Sequence, residues 1–298
     1  MDGDFGVNRI GVNVSRFSFG LLLVVLSSCA FAKPIQVLDS LHQRIQLKAP
    51  AKRVVTLAPN LAEMVFAVGA GNTLVGVSAF SDYPSQAKKL PVVASYHSID
   101  IEKIVSKHPD LVIAWRGENA SVQIQQLKRL GIPVFVTSFH CLADISKFMR
   151  TLGQLMGAEI KANRKADHFD RTLMRLRREG HDQKSKTVFF ELYDQPLLTL
   201  NRKSIVNEMI HDCGGRNIYV DAYGTAPQVS VESVVARDPD IILIPSDLNK
   251  KNVFAQWQQF SQLKAWRNHR LYVVHTALIE RYGPRILQGM QEICHALR

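Results

Sequence analysis

The side chains that could carry out covalent chemistry do not group in this 298-residue chain. A serine nucleophile on a strand-to-helix elbow requires G-x-S-x-G, and no such run occurs. There is no P-loop, and Gly69-Ala70-Gly71 lacks the third glycine of a dinucleotide fingerprint because position 74 is Leu74. His140 and Cys141 could act as base and thiol, yet adjacent residues rarely face each other productively and no third group orients them. The ten histidines and four cysteines show no zinc-ligand spacing. No catalytic residue, metal site or cofactor is therefore expected. What remains is recognition chemistry, in aromatics and arginines placed where strands end. Phe80, Tyr83, Tyr96 and Trp115-Arg116 hold such places in the first half, and Tyr193, Tyr223, Arg281 and Tyr282 in the second. Trp115 is the sharpest case, because Gly117, Glu118 and Asn119 follow it where a strand must open into a loop.

The elements that position these residues follow from periodicity. Short apolar runs bounded by turn residues alternate with helix-period segments from Arg53 onward, the pattern of βα units. Strands are expected near 53–57, 73–79, 110–115 and 133–138, with helices near 60–68, 100–107 and 119–130 between them. Residues 141–180 carry almost no strand pattern and predict two consecutive helices, the second over about 158–179 and roughly 33 Å long. Strands resume at 186–192, and the alternation ends in a helix near 284–297.

The halves also repeat each other. Ile99-Asp100-Ile101-Glu102 leads to His108-Pro109-Asp110-Leu111, and Val229-Ser230-Val231-Glu232 leads to Asp238-Pro239-Asp240-Ile241. A weaker echo pairs Glu63-Met64, Gly69 and Asn72 with Glu208-Met209, Gly214 and Asn217. The echoes keep their order while their spacing differs, as expected of two duplicated lobes with different loops. Two such lobes leave a cleft between them, a preferred place for a ligand.

The N-terminus reads as an export signal over residues 1–32. Arg9 and Arg16 precede an apolar run from Phe17 to Leu26, too short to span a bilayer, and small residues follow it. Two processing routes fit: cleavage after Ala30-Phe31-Ala32, or lipidation of Cys29 in Leu26-Ser27-Ser28-Cys29. The formal charge of +11 is unchanged by removing the leader, since Asp2 and Asp4 cancel Arg9 and Arg16. Export argues against a nucleic-acid partner. The richest basic cluster, Arg171, Arg175, Arg177 and Arg178, has the spacing of a solvated helix face, with an acidic surface or anionic ligand as the alternative. Among Cys141, Cys213 and Cys294, one disulfide is expected in an oxidising compartment.

The chain resembles the class III periplasmic binding proteins of ABC importers, and within them the branch that carries vitamin B12. The resemblance covers almost everything after the leader. It rests on Ser81-Asp82-Tyr83-Pro84, on Leu111 to Ala120 with its Trp-Arg-Gly core, and on Cys213-Gly214-Gly215. Pro227-Gln228-Val229-Ser230, Glu280-Arg281 and Pro284-Arg285-Ile286 complete it.

The resemblance implies an α/β fold of two Rossmann-like lobes bridged by a single long helix, over 33–157, 158–180 and 181–298, with little closure on binding. It implies a monomer in the periplasm that binds cobalamin or a related corrinoid and delivers it to a permease and ATPase complex. Phe80 or Tyr83, Tyr96, Trp115, Tyr193 and Arg281 would face the ligand. Glu102 and Glu232 would dock the permease, and Cys213 and Cys294 would form the disulfide. Two positions depart from the pattern: Ala226 and Tyr96 stand where the branch has tryptophan. Tyr83, Tyr96 and His97 leave haem or a ferric siderophore as the alternative cargo, and an exported α/β hydrolase is the third reading.

Overall fold

A computed structural model describes residues 1–4, 6, 34–95, 98–116, 121–181, 184–246 and 253–298. The chain divides into two compact units, Met1–Ala32 and Lys33–Arg298, and the elements described below belong to the second. It opens on an antiparallel hairpin, β1 (Ile35–Leu38) and β2 (Arg44–Leu47). This hairpin lies outside the alternation expected from Arg53. Its four-residue strands bury little on one face and so leave a weak pattern.

The first lobe follows: β3 (Val54–Thr56), α1 (Pro59–Ala67), β4 (Leu74–Ser78), β5 (Val92–Ala94), α2 (Ile101–Ser106), β6 (Leu111–Trp115), α3 (Ser121–Arg129), β7 (Val134–Thr137) and α4 (Leu142–Met156). Its five strands are parallel in the order β5-β4-β3-β6-β7. The run Leu111-Val112-Ile113-Ala114 is wholly buried because helices cover both faces of a parallel sheet.

The bridging helix α5 (Glu159–His181) is 23 residues long, or about 35 Å. Ala162, Ala166, Phe169, Leu173, Leu176 and Gly180 form its buried stripe, spaced three or four apart so that one face meets the core. Gly157, at φ +64°, turns the chain from α4 into α5. Gly180 is needed for a different reason, since a Cβ there would lie 2.0 Å from the Asp212 carbonyl oxygen.

The second lobe holds β8 (Lys186–Phe190), the short hairpin β9 (Tyr193–Asp194) and β10 (Leu197–Leu198), α6 (Ile205–Asp212), β11 (Gly215–Asn217) and α7 (Val231–Arg237). It continues through β12 (Ile241–Ser246), α8 (Lys264–Arg267), β13 (Leu271–His275), α9 (Thr276–Ile279) and α10 (Ile286–Leu297). Its parallel sheet runs β11-β8-β12-β13 and is separate from the first. One large apolar core, drawing on α1, α4, α5, α6 and α10, joins the inner faces of both lobes. Smaller clusters lie under α2 and α3 on one side and under α7 and α8 on the other.

The repeated sequence motif does the same work in each lobe. Asp100 caps α2 by accepting from the Lys103 N–H at 2.9 Å, and Ser230 caps α7 by accepting from the Ser233 N–H at 3.1 Å. After each helix, the aspartate following proline clamps the first core strand. Asp110 accepts from the Lys52 and Arg53 N–H groups at 2.8 and 2.9 Å, and Asp240 from the Thr187 N–H and hydroxyl at 2.8 Å each. Burial pushes the Asp240 carboxyl up, but the Thr187 donors outweigh it and hold it below the usual aspartate value.

Cys213, just past α6, is bonded to Cys294 in α10, with Cα atoms 4.8 Å apart and a sequence separation of 81. Cys141 is free. Replacing both bonded cysteines by alanine is expected to lower unfolding stability by up to about 4.5 kcal/mol, the chain-entropy value for a loop of this size. Urea unfolding of the double variant checks this, and an unchanged midpoint would contradict it.

Candidate binding cleft between the lobes

In open parallel sheets, ligands bind outside the carboxyl ends of the strands. At the end of β4 stands Phe80, with φ +62° and 80% of its surface exposed. A bulky residue in the left-handed region is held against its own preference, and here the ring is presented to solvent. At the end of β6, Trp115 is half-buried. Its ring meets Phe139 edge-on at 5.1 Å and Tyr282 of the second lobe at 6.1 Å. Asn60 Nδ2 donates to the Tyr282 carbonyl at 3.2 Å. The first lobe thus touches the 281–285 segment with both a ring and an amide.

Beside this contact lies a charged cluster. The Glu63 side chain, on α1, is only 2% exposed. Arg285 holds both of its oxygens, Nε at 2.9 Å and Nη2 at 2.6 Å, and Arg281 Nη1 adds a 3.4 Å contact. Arg281 also binds Asp82 with both Nη atoms, and the Arg285 guanidinium lies 3.9 Å over the Tyr83 ring. The four charges sum to zero, so the buried Glu63 carboxylate is neutralised where water is scarce, while Asp82 stands at the exposed edge of the cluster. The Arg281 hydrogen bond, against partial burial, holds the Asp82 carboxyl below its usual value.

A matching tie joins α6 to the start of α4. Glu208 of α6 accepts from the Leu142 N–H, at the start of α4, and from Arg177 Nη2, both at 2.8 Å. Arg177 Nε reaches Asp212 at 2.7 Å. Burial, with Asp212 beside it, pushes the Glu208 carboxyl above its usual value despite these donors. Glu63 and Glu208 are the echoed glutamates of the sequence. Each sits on the first helix of its lobe and binds the beginning of the other lobe's last helix.

The expected site residues divide. Trp115, Tyr83 and Arg281 lie along the inter-lobe contact, but Arg281 is committed to Asp82 and Glu63. Tyr193 is 57% exposed in β9, and among the described residues neither it nor Phe80 makes a ring contact with Trp115. Tyr223 is fully exposed. Tyr96 and His97 lie outside the described residues. Cys213 and Cys294 form the bond already described, and Glu102 and Glu232 are exposed in the first turns of α2 and α7. Burial pushes the Cys141 thiol up, the opposite of an activated nucleophile. Sequence reasoning gave no site role to Phe139, Glu63 or Arg285. Glu63 had been visible only as part of a repeat.

Residues 54–278 match the family described as periplasmic binding protein. The chain belongs to this family. A vitamin B12-binding protein of Pectobacterium carotovorum subsp. carotovorum (strain PC1) is 36% identical over 249 residues, covering 83% of this chain and 88% of the relative. The crystal structure of the periplasmic vitamin B12 binding protein BtuF of Vibrio cholerae superposes with TM-score 0.75 at 30% identity, over 83% of this chain and 97% of that one. The periplasmic heme-binding protein RhuT from Roseiflexus sp. RS-1 shares the fold, with TM-score 0.72 at 23% identity over 83% and 98% of the two chains. As a family member the protein is a solute-binding protein, not an enzyme, and works outside the cytoplasm.

Glu63→Ala is expected to destabilise the protein by about 3 kcal/mol or more, the cost of leaving a buried ion pair broken. A loss under about 1 kcal/mol in urea unfolding would place the pair among solvated ones. The Asp82–Arg281 pair predicts an acid dependence. Its contribution is complete above the ordinary aspartate pKa of about 3.9 and is lost as pH falls through the lowered value. Asp82→Asn should therefore lose less stability than wild type on acidification below about pH 4. Equal slopes would contradict it.

Proposed function

We propose that the cleft between the lobes binds cobalamin or a related corrinoid, and that the protein hands it to the permease of an ABC importer. The carrying observation is the likeness to vitamin B12-binding relatives over more than four-fifths of the chain. The geometry is compatible with it. A corrin offers a broad apolar body and peripheral amides, which suit aromatic faces with a few polar groups. Trp115 and Tyr96 would supply stacking area, Phe80, Tyr83 and Tyr193 further ring surface, and Arg281 a polar edge. Cobalamin is cargo in this reading rather than a resident cofactor.

Delivery would use Glu102 and Glu232. One exposed carboxylate on each lobe gives a two-point dock with a defined orientation. As first-turn residues they also favour their helices, but only by about 0.3 to 1 kcal/mol each. Lobe limits of 33–157 and 181–298, a bridge over 158–180, a monomeric state and a leader cleaved after Ala32 belong to the same reading. Lipidation at Cys29 is the competing fate of the leader, and the mass of the exported protein separates the two.

Visible spectra of the protein titrated with cobalamin and with haemin test the cargo. Stoichiometric co-elution with cobalamin is expected, and binding of haemin alone would move the assignment to haem. Trp115→Ala should weaken cobalamin binding by about 2 kcal/mol or more, and unchanged affinity would remove Trp115 from the site. For docking, reversing both Glu102 and Glu232 should abolish permease association at low salt while ligand affinity stays intact. Wild-type association by that variant would refute the dock.

A further inference from the structure

A cavity of about 500 Å³ lies where α5 crosses both lobes, within the size range of small-molecule sites. Its floor is apolar, made by Phe66, Met149, Phe169 and Leu287. Its rim carries Lys165 and His168 of α5 and the side-chain amides of Gln288 and Gln291. Phe80, Trp115, Tyr193 and Arg281 do not line it, so it is distinct from the strand-end cleft, with Tyr83 forming a shared wall.

The charge at this cavity is unbalanced. Glu63, its acidic lining residue, is already held by Arg285 and Arg281. Of the other acids along α5, Asp167 and Asp170 bind Arg150 and Glu179 binds Arg175 and Arg298, while Glu159 stands in the first turn and does not line the cavity. Lys165 is left without a carboxylate partner among the described residues. On the exposed face beside it, Lys161, Arg164, His168, Arg171, Arg175 and Arg178 recur at alternating steps of three and four. Such a stripe adds positive potential at the cavity mouth.

We propose that this cavity is a second binding site, for an amphipathic carboxylate whose apolar tail lies on the Phe66–Phe169 floor and whose head is held by Lys165 and His168. An apolar floor excludes a wholly polar anion, and the unpaired cation at the rim favours an anionic amphiphile over a cationic one. The walls come from α1 and α4 of one lobe, α10 of the other and the bridge between them. An occupant would therefore touch both lobes, and it would stabilise the folded state by mass action.

Calorimetry of the mature protein with dodecanoate, below its micelle concentration, tests this, with dodecyltrimethylammonium as the cationic control. Dodecanoate should bind once per chain and the control should not. Lys165→Glu, at an exposed position, should weaken dodecanoate by about tenfold or more, the worth of one charge-assisted bond. Ala67, at the end of α1, also lines the cavity, and Ala67→Trp should fill it and remove binding. A cobalamin titration of the same samples reads the cleft separately and should be unchanged by dodecanoate or by either variant. Absent binding, equal binding of the cationic control, unaltered affinity in Lys165→Glu, or competition with cobalamin would each overturn the proposal.

Discussion

A carboxylate as buried as Glu63 is tolerable only when paired, and its partners come from the far end of the chain. That requirement fixes how the lobes meet. Arg285 and Arg281 must reach α1, which draws the 281–285 segment against the first lobe and brings Tyr282 to Trp115. Glu208 imposes the reciprocal constraint, since its carboxylate must lie at the start of α4. With α5 packed into the same core as α1, α4, α6 and α10, the lobes are tied in two places and spanned by one rigid rod. A hinge would have to break a buried ion pair, which typically costs several kcal/mol.

The cleft inherits this rigidity. Trp115 ends β6, whose start is tied to that of β3 through Asp110, and Tyr193 follows β8, whose start is held by Asp240. A frame of this kind selects by the shape of a preformed opening rather than by closing around its cargo, which suits a large rigid ligand better than a small flexible one. The same stiffness would keep Glu102 and Glu232 at one separation, so that a two-point dock keeps its spacing whether the cleft is full or empty.

Much of this was legible in the residues. The buried run of β6, the bridging helix and the duplicated Pro-Asp units all follow from local pattern, because each is defined by neighbours a few positions away. Helix and strand limits differ by one or two residues where ends are set by caps. The β1–β2 hairpin and β5 escaped notice because their few residues are partly exposed, whereas the equally short β3 and β7 are wholly buried runs. The ionic ties were hidden for a different reason. Glu63 and Arg285 are more than two hundred positions apart, and nothing in either neighbourhood announces the other; the Glu63/Glu208 echo marked a duplicated position without revealing that each glutamate crosses to the opposite lobe. Arg281 faces the ligand only by resemblance, and its ion pairs with Asp82 and Glu63 could not be foreseen from its neighbours in sequence.

The claim that the lobes hold one geometry is open to a direct measurement. Spin labels at Val122 in α3 and Ala236 in α7, both exposed and on opposite lobes, report the inter-lobe distance by pulsed dipolar spectroscopy. A single narrow distribution, unmoved by saturating cobalamin and broadened when Glu63 and Glu208 are both replaced by alanine, is the predicted result. A broad distribution in the wild-type protein, or a clear shift to shorter distance on adding ligand, would contradict it.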